Sequence, residues 1–376
     1  MRIAVLKETK AFEKRVALTP DVVKSLVKKG FDVCIEKGAG DNSKFSDQQF
    51  SDAGSSIGKN TKDTCQADVI LKVNSFTTEE VSLCADASVC ISFMYAYTIP
   101  EVLEVMKKKN ISSFSMDAVP RISRAQKMDA LSSQANLAGY KTVLLGANAL
   151  GKIFPLMMTA AGTITPSKVL IFGAGVAGLQ AIATAKRLGA VVEVTDVRPE
   201  TKEQVESLGG RFLSVEGAEA VTVEGGYAKE VSADFLQKQK TLIQEKIKDA
   251  DIVITTALVI GKKARLLVTE EMVKSMKTGS VIVDMAVESG GNCELAEMNK
   301  TVVKHGITII GESNLPSLLS VNASQLYATN ISTLLLHLAD KDAFKWEMEE
   351  EVTKGSLITH KGEIVHEFTK KILGIV

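Results

Sequence analysis

The chain has 376 residues, with 45 basic and 45 acidic side chains and a formal net charge of zero. That balance excludes the strong basic field expected of a nucleic-acid binder or of a protein held on an anionic membrane by its own charge. A hydrophobic content of 45% excludes a disordered chain, and the length exceeds what one core usually serves, so two domains are expected.

The five cysteines (Cys34, Cys65, Cys84, Cys90, Cys293) form no CxxC pair. Neither a disulfide framework nor a metal site is expected, and a reducing compartment fits. The nearest approach to a membrane span, residues 143–164, is interrupted by Asn148, Lys152 and Pro155, short of the roughly 18 unbroken apolar residues a span needs. The sequence opens on a strand pattern without a signal peptide, so a soluble chain with no direct membrane insertion is expected.

In chain order, residues 3–6, 31–35, 67–73, 88–93 and 111–114 carry strand patterns separated by helical ones. Thr19-Pro20 reads as a helix start, with Thr as N-cap and Pro at the first helical position, and Pro100 opens another helix. The polar stretch from Pro120 to Asn136 reads as a loop feeding a long helix between domains, and residues 157–165 lead into a strand. Val169 to Phe172 is a short apolar run, and Gly173-Ala-Gly175-Val176-Ala177-Gly178 follows at once. A helical pattern continues to Leu188, Gly189 stops it, Val191 to Thr195 make a second strand, and Asp196 ends that strand. Strand, glycine turn, helix, strand and terminal acid are the order of a dinucleotide fold. Gly173 allows the tight turn, Gly175 lets the backbone approach a pyrophosphate, and Gly178 lets helix and strand pack closely. The helix start offers N–H groups to the phosphates. A carboxylate at Asp196 accepts from a ribose 2′-hydroxyl and repels a 2′-phosphate, which favours NAD(H), although Arg198 also suits a 2′-phosphate.

Beyond Asp196, a helix over 199–207 and a strand over 211–214 are expected. The open, glycine-bearing segment 214–227 reads as a flap or as disordered chain, and the charged stretch 228–248 as one helix. Residues 252–255, 281–284 and 308–310 read as further parallel strands, and 323–338 as a helix returning to the first domain. The fold class is therefore α/β, with two Rossmann-like doubly wound parallel-sheet domains and a cleft between them. The expected division is 1–131 plus 322–376 for the N-terminal domain and 132–321 for the nucleotide domain.

The motifs PRISRAQ-MD-LSSQANLAGY, MMTAAGT, GAGVAGLQAIATAKRLGA, TDVR, GGYAKE, ITTAL-GK and GSVIVDMAVE-GGN resemble the NAD(H)-binding component, domain I, of proton-translocating NAD(P) transhydrogenase. That family lies in a superfamily with alanine dehydrogenase, which shares the N-terminal EKRVALTP, and the resemblance spans essentially the whole chain. It implies NAD as cofactor and a homodimer formed through the nucleotide domain. It also implies an NADP(H)-binding partner component and a membrane-spanning proton-channel subunit, with the chain docked peripherally on the cytoplasmic face. Arg121, Asp129 and Ser132 would hold the nicotinamide end, and Gln126 would reach toward the partner's nucleotide. Gln126, Arg121 and Asp129 are thus the candidate catalytic residues. Hydride transfer needs two rings held in contact and little acid–base chemistry, so orienting groups of this kind suffice. Val176 and Ala177 would meet the cofactor at the helix start, and Asp196, Val197 and Arg198 would surround the adenosine ribose. Gly226 and Tyr227 would form the tip of a closing loop, while Gln239 and Leu258 would line the adenine and nicotinamide sides.

Two other functions are open at this stage. A self-contained amino-acid dehydrogenase resembling alanine dehydrogenase would use Arg15 and Lys72 for a substrate carboxylate. It would also need a histidine in the strand CISFMYAY, residues 90–97, which has none, and its catalytic Asp position holds Glu288. A non-enzymatic NAD(H) sensor is the third. His305, His337, His360 and His366 have no ligand spacing and are expected to be structural or on the surface.

Overall fold

The computed structural model describes residues 1–215, 222–224, 227–230, 233–258 and 263–375. It divides into two compact units, Met1–Gln134 with Ser317–Val376, and Ala135–Pro316. The chain passes from the first to the second within the helix Ala130–Ala149.

The first unit is built on an eight-stranded sheet. Its order is Glu363–Ile364, Leu357–His360, Ser112–Ser115, Val89–Ser92, Val69–Leu71, Arg2–Val5, Asp32–Glu36 and Ser56–Gly58. The six strands from Ser112–Ser115 onward are parallel, and the two C-terminal strands add antiparallel at one edge. Those two and Ser56–Gly58 were not expected, because each is a short edge segment without a sustained apolar run. The central strands are buried on both faces, as a parallel sheet covered by helices requires. Ile3 and Val5 pack into one cluster while Ala4 and Leu6 pack into the other. Helix Pro20–Lys28 starts where expected, but the Thr19 hydroxyl does not cap it. The Thr19 carbonyl instead accepts the Val23 N–H at 2.9 Å, so Pro20 alone sets the helix start.

The second unit holds a seven-stranded sheet in the order Arg211–Phe212, Val191–Thr195, Lys168–Phe172, Ile252–Thr255, Val281–Asp284, Ile307–Gly311 and Lys300–Lys304. All are parallel except the last, an antiparallel edge strand. In the numbering of its parallel strands this is the doubly wound order 3-2-1-4-5-6, whose switch point lies between Lys168–Phe172 and Ile252–Thr255. Val169 and Ile171 face one core cluster and Leu170 and Phe172 the other. Each such side chain contributes about 1.5–3 kcal/mol of burial free energy.

Two segments differ from expectation. Residues 157–165 form an antiparallel hairpin, Met157–Thr159 with Gly162–Ile164, before the glycine-bearing strand begins. The stretch 228–248 is not one helix: Tyr227–Glu230 pairs antiparallel with Thr222–Glu224, and the helix runs Ala233–Lys246 before a 3-10 turn at Ile247–Asp249. Charge pattern alone does not separate a strand of four residues from a helix start.

Candidate functional site

The switch point of the second sheet is where open α/β sheets take ligands. Strand Lys168–Phe172 ends at Gly173, whose φ of +102° belongs to the left-handed region, and a Cβ there would lie 2.4 Å from Thr256 Oγ1. A Cβ at Gly178 would lie 1.9 Å from the Gly173 carbonyl oxygen, so helix and turn touch backbone to backbone. Gly175 is different. A Cβ there would meet nothing nearer than the Arg198 guanidinium at 3.9 Å, so the backbone face is open to a ligand. Gly175 is also the N-cap of helix Val176–Arg187, and no side chain caps that end. The first-turn N–H groups of Val176, Ala177 and Gly178 therefore face a place suited to an anion. From behind, Gly139 of helix Ala130–Ala149 abuts the Ala177 carbonyl. A dinucleotide fits these residues: two glycines are needed for packing, and the third leaves the approach clear.

Asp196 closes the same strand-end. Its carboxylate is buried and accepts from the Ala174 N–H at 2.6 Å and the Arg198 N–H at 2.8 Å. Arg198 also folds its guanidinium back, Nε to Oδ1 at 2.9 Å and Nη2 to Oδ2 at 2.8 Å. Burial alone would raise the pKa of Asp196, but the Arg198 guanidinium and the Ala174 N–H hold it below the usual range. The acid expected to receive a ribose hydroxyl is thus covered by its own neighbour, and the Arg198 side chain must yield before a hydroxyl takes its place. Val197 between them is half-buried. Gln239 is buried and its Nε2 lies 3.4 Å from Thr195 Oγ1, beside this strand-end. Leu258 is 41% exposed just past Ile252–Thr255. Gly226 lies outside the described residues, and Tyr227 is described only by its backbone, paired with Glu224.

The loop candidates belong to the first unit. Ser123–Met128 is a 3-10 turn, anchored by buried Ala125 and Met128 and by Asn330 Nδ2 donating to the Lys127 carbonyl at 2.9 Å. Arg124 pairs with Glu350 at 3.0 Å and Glu351 at 2.5 Å. These tethers leave Arg121 and Gln126 exposed and Asp129 half-buried around one depression of about 250 Å³, lined also by Pro120, Ile122 and Ser123. Both the N–H and the hydroxyl of Ser132 donate to Asp129, at 2.8 and 2.6 Å, so Asp129 caps the helix that follows. The structure thus gathers Arg121, Gln126, Asp129 and Ser132 at one place in the first unit. The glycine turn, Asp196, Arg198, Gln239 and Leu258 all belong to the second.

Family models place the chain. The alanine dehydrogenase/PNT N-terminal domain matches residues 4–138 and the C-terminal domain of the same family matches 142–367. The chain belongs to the alanine dehydrogenase/PNT family. It is 49% identical to the first portion of the split NAD(P) transhydrogenase alpha subunit of Rhodospirillum rubrum, over 97% of this chain and 98% of that one. The crystal structure of a transhydrogenase from Sinorhizobium meliloti superposes with a TM-score of 0.86 at 43% identity, covering 98% of this chain and all of that one. An L-alanine dehydrogenase superposes with a TM-score of 0.84 at 27% identity, covering all of this chain and 99% of that one. The expected fold class, oxidoreductase class and nicotinamide cofactor all stand with this membership.

Both branches of the family share the fold, so the carboxylate pair of the dehydrogenase reading decides more than the likeness does. Arg15 is buried and bidentate on Glu13, Nε to Oε1 at 2.8 Å and Nη2 to Oε2 at 2.7 Å, with Nη1 on Gln134 Oε1 at 2.9 Å. Although burial opposes ionisation of Glu13, the Arg15 guanidinium holds its carboxyl far below the usual range. Lys72 is buried, with Nζ 2.8 Å from each Glu80 oxygen and 5.6 Å from the Phe76 ring centre. Each cation is neutralised from within. A substrate carboxylate there would have to displace a buried internal one, and breaking such a pair is strongly unfavourable. Glu288 sits exposed in the 3-10 turn Val287–Ser289.

Sequence reasoning missed three residues of the second unit's site: Thr256, Asp284 and Asn292. Their only signals are the strand-end position of Asp284 and the ITTAL string.

Proposed function

We propose that this chain is the NAD(H)-binding component of a proton-translocating NAD(P)+ transhydrogenase, passing hydride between its own NADH and NADP+ held by a partner component. The observation that favours this over an amino-acid dehydrogenase is the internal neutralisation of Arg15 and Lys72, together with a strand that carries no histidine. When bound, the reduced nicotinamide supplies the hydride. The residues of the chain bind and orient. The start of helix Val176–Arg187 takes the pyrophosphate, Asp196 takes the adenosine ribose once Arg198 yields, and Val197, Gln239 and Leu258 flank the ligand. Arg121, Asp129 and Ser132 hold the nicotinamide end, Gln126 faces the partner's nucleotide, and Gly226 and Tyr227 close over the site. Placement is the whole of the catalysis, because a direct hydride transfer asks no proton of the protein.

The same proposal includes a homodimer and peripheral attachment to the cytoplasmic face of a membrane through the proton-channel subunit. The hairpin Met157–Thr159 with Gly162–Ile164 supports self-association, since Leu156, Met157, Met158 and Ile164 are 43–74% exposed on it. Among the described residues no helix is long and apolar enough to cross a membrane.

The test is reconstitution with the two partner components. Gln126→Asn is expected to slow hydride transfer at least tenfold, since a displacement of roughly 1 Å between reacting groups costs up to 10²-fold, with the Kd for NADH unchanged. Undiminished turnover would remove Gln126 from the reaction. The isolated chain is expected to bind NADH without oxidising alanine. Alanine oxidation would transfer the assignment to the dehydrogenase branch.

A further inference from the structure

The loop after strand Val281–Asp284 is folded around one carboxylate. Asp284 is fully buried, and its partners are neutral. Oδ1 accepts from Thr255 Oγ1 at 3.0 Å and the Ala286 N–H at 2.9 Å, and Oδ2 from the N–H groups of Asn292 at 2.8 Å and Cys293 at 2.9 Å. Gly291, at φ +80°, passes so close that a Cβ would lie 2.9 Å from Oδ2. The carboxylate therefore sets where Asn292 stands.

Asn292 is itself fully buried and its amide is spent on the neighbouring strand-end. Oδ1 accepts the Ala257 N–H at 3.1 Å, and Nδ2 donates to the Ala257 carbonyl at 3.0 Å and the Arg265 carbonyl at 2.7 Å. Ala257 is gripped from both sides of its backbone. The residue before it, Thr256, donates its hydroxyl to the carbonyls of Phe172 at 3.0 Å and Gly173 at 3.3 Å, and its N–H to Phe172 at 2.9 Å. The residue after it is the exposed Leu258. A continuous chain of buried hydrogen bonds thus runs from Asp284 through Asn292 and Thr256 to the first glycine of the turn.

We propose that Asn292 is a positioning residue for the dinucleotide. It acts through Ala257 and Thr256 to hold the Gly173 turn at the height the pyrophosphate needs, with Asp284 fixing Asn292. The inference rests on the reading of that turn as the nucleotide site. A hydrogen-bond chain without mobile charge transmits position, because each member has one satisfied arrangement and an unsatisfied alternative.

The experiment titrates NADH fluorescence on the full-length chain, with thermal midpoints measured beside it. Thr256→Val keeps shape but removes the hydroxyl and is expected to weaken NADH binding about tenfold, as losing a buried hydrogen bond does. Thr256→Ser is expected to restore it. Asn292→Ala is expected to weaken binding by a similar factor, and the double variant Asn292→Ala with Thr256→Val by no more than the weaker single, because both cut one chain. Should Asn292→Ala fail to fold, the Thr256→Val and Thr256→Ser pair decides. Variants that melt earlier yet keep the wild-type Kd, or a double variant whose losses multiply, overturn the positioning role. A wild-type chain with no affinity for NADH instead overturns the nucleotide reading itself.

Discussion

Substituting Gly139 by alanine tests whether the backbone behind the glycine turn matters to the site. Gly139 lies in helix Ala130–Ala149, and the added Cβ would stand 2.1 Å from the Ala177 carbonyl oxygen, 2.9 Å from its carbon and 3.1 Å from its Cα. All three are backbone atoms and none can rotate away. Ordinary carbon–oxygen contacts are about 3.3–3.6 Å, so the start of helix Val176–Arg187 must retreat by roughly 1 Å. Overpacking of this kind costs about 1–3 kcal/mol, and alanine returns about 1 kcal/mol of helix propensity. A net loss of up to about 2 kcal/mol corresponds to a fall in Tm of about 4–8 °C for a unit of this size. The NADH affinity is expected to fall at least tenfold, because the displaced N–H groups are the ones aimed at the phosphates. The assay is NADH fluorescence titration beside differential scanning calorimetry, with Gly151→Ala as control, where an added Cβ meets nothing within 4 Å. A folded Gly139→Ala chain with wild-type Kd and Tm would refute the argument that this contact places the helix.

Asp196→Ala removes the ribose acceptor and releases Arg198, so the ratio of NADH to NADPH affinity is expected to fall about tenfold or more, read by competition titration. An unchanged ratio would place nucleotide selectivity elsewhere. Glu350 accepts the Thr353 N–H at 2.8 Å and lies 3.0 Å from His337 Nε2 and 3.0 Å from Arg124. Although burial opposes its ionisation, the His337 and Thr353 contacts lower its pKa from 4.5 to about 2. A depressed carboxylate contributes stability that is complete above the unfolded value of 4.5 and is lost as pH falls toward 2. Urea unfolding between pH 5 and pH 3 is therefore expected to show a smaller loss of stability in Glu350→Gln than in the wild type. Equal slopes would show that Glu350 carries no such linkage.

The sheets and the glycine turn were legible from residue order because they depend on local rules. A buried parallel strand announces itself by an unbroken apolar run, and the jobs of Gly173 and Gly178 follow from backbone crowding within six residues. The short edge strands Ser56–Gly58, Leu357–His360 and Lys300–Lys304 carried no such signal, since an edge strand is defined by the neighbour it finds. Tyr227–Glu230 was hidden for the same reason: its charged residues suit a helix until the backbone of Thr222–Glu224 pairs with it.

Spacing and residue type were enough to announce a nucleotide fold with an acid at its second strand, because a phosphate cradle is made of backbone and a few adjacent residues. Tertiary structure alone decided which charged groups are available to a ligand. Arg15 and Lys72 read as a carboxylate clamp, yet Glu13, Gln134 and Glu80 already fill them. Asp284 and Asn292 read as an ordinary strand end and turn, yet they reach 35 residues back to Ala257, beside the glycine turn. A hydrogen bond acts over about 3 Å of space whatever the distance along the chain, so the partner that satisfies a buried polar group is known only once the chain has folded.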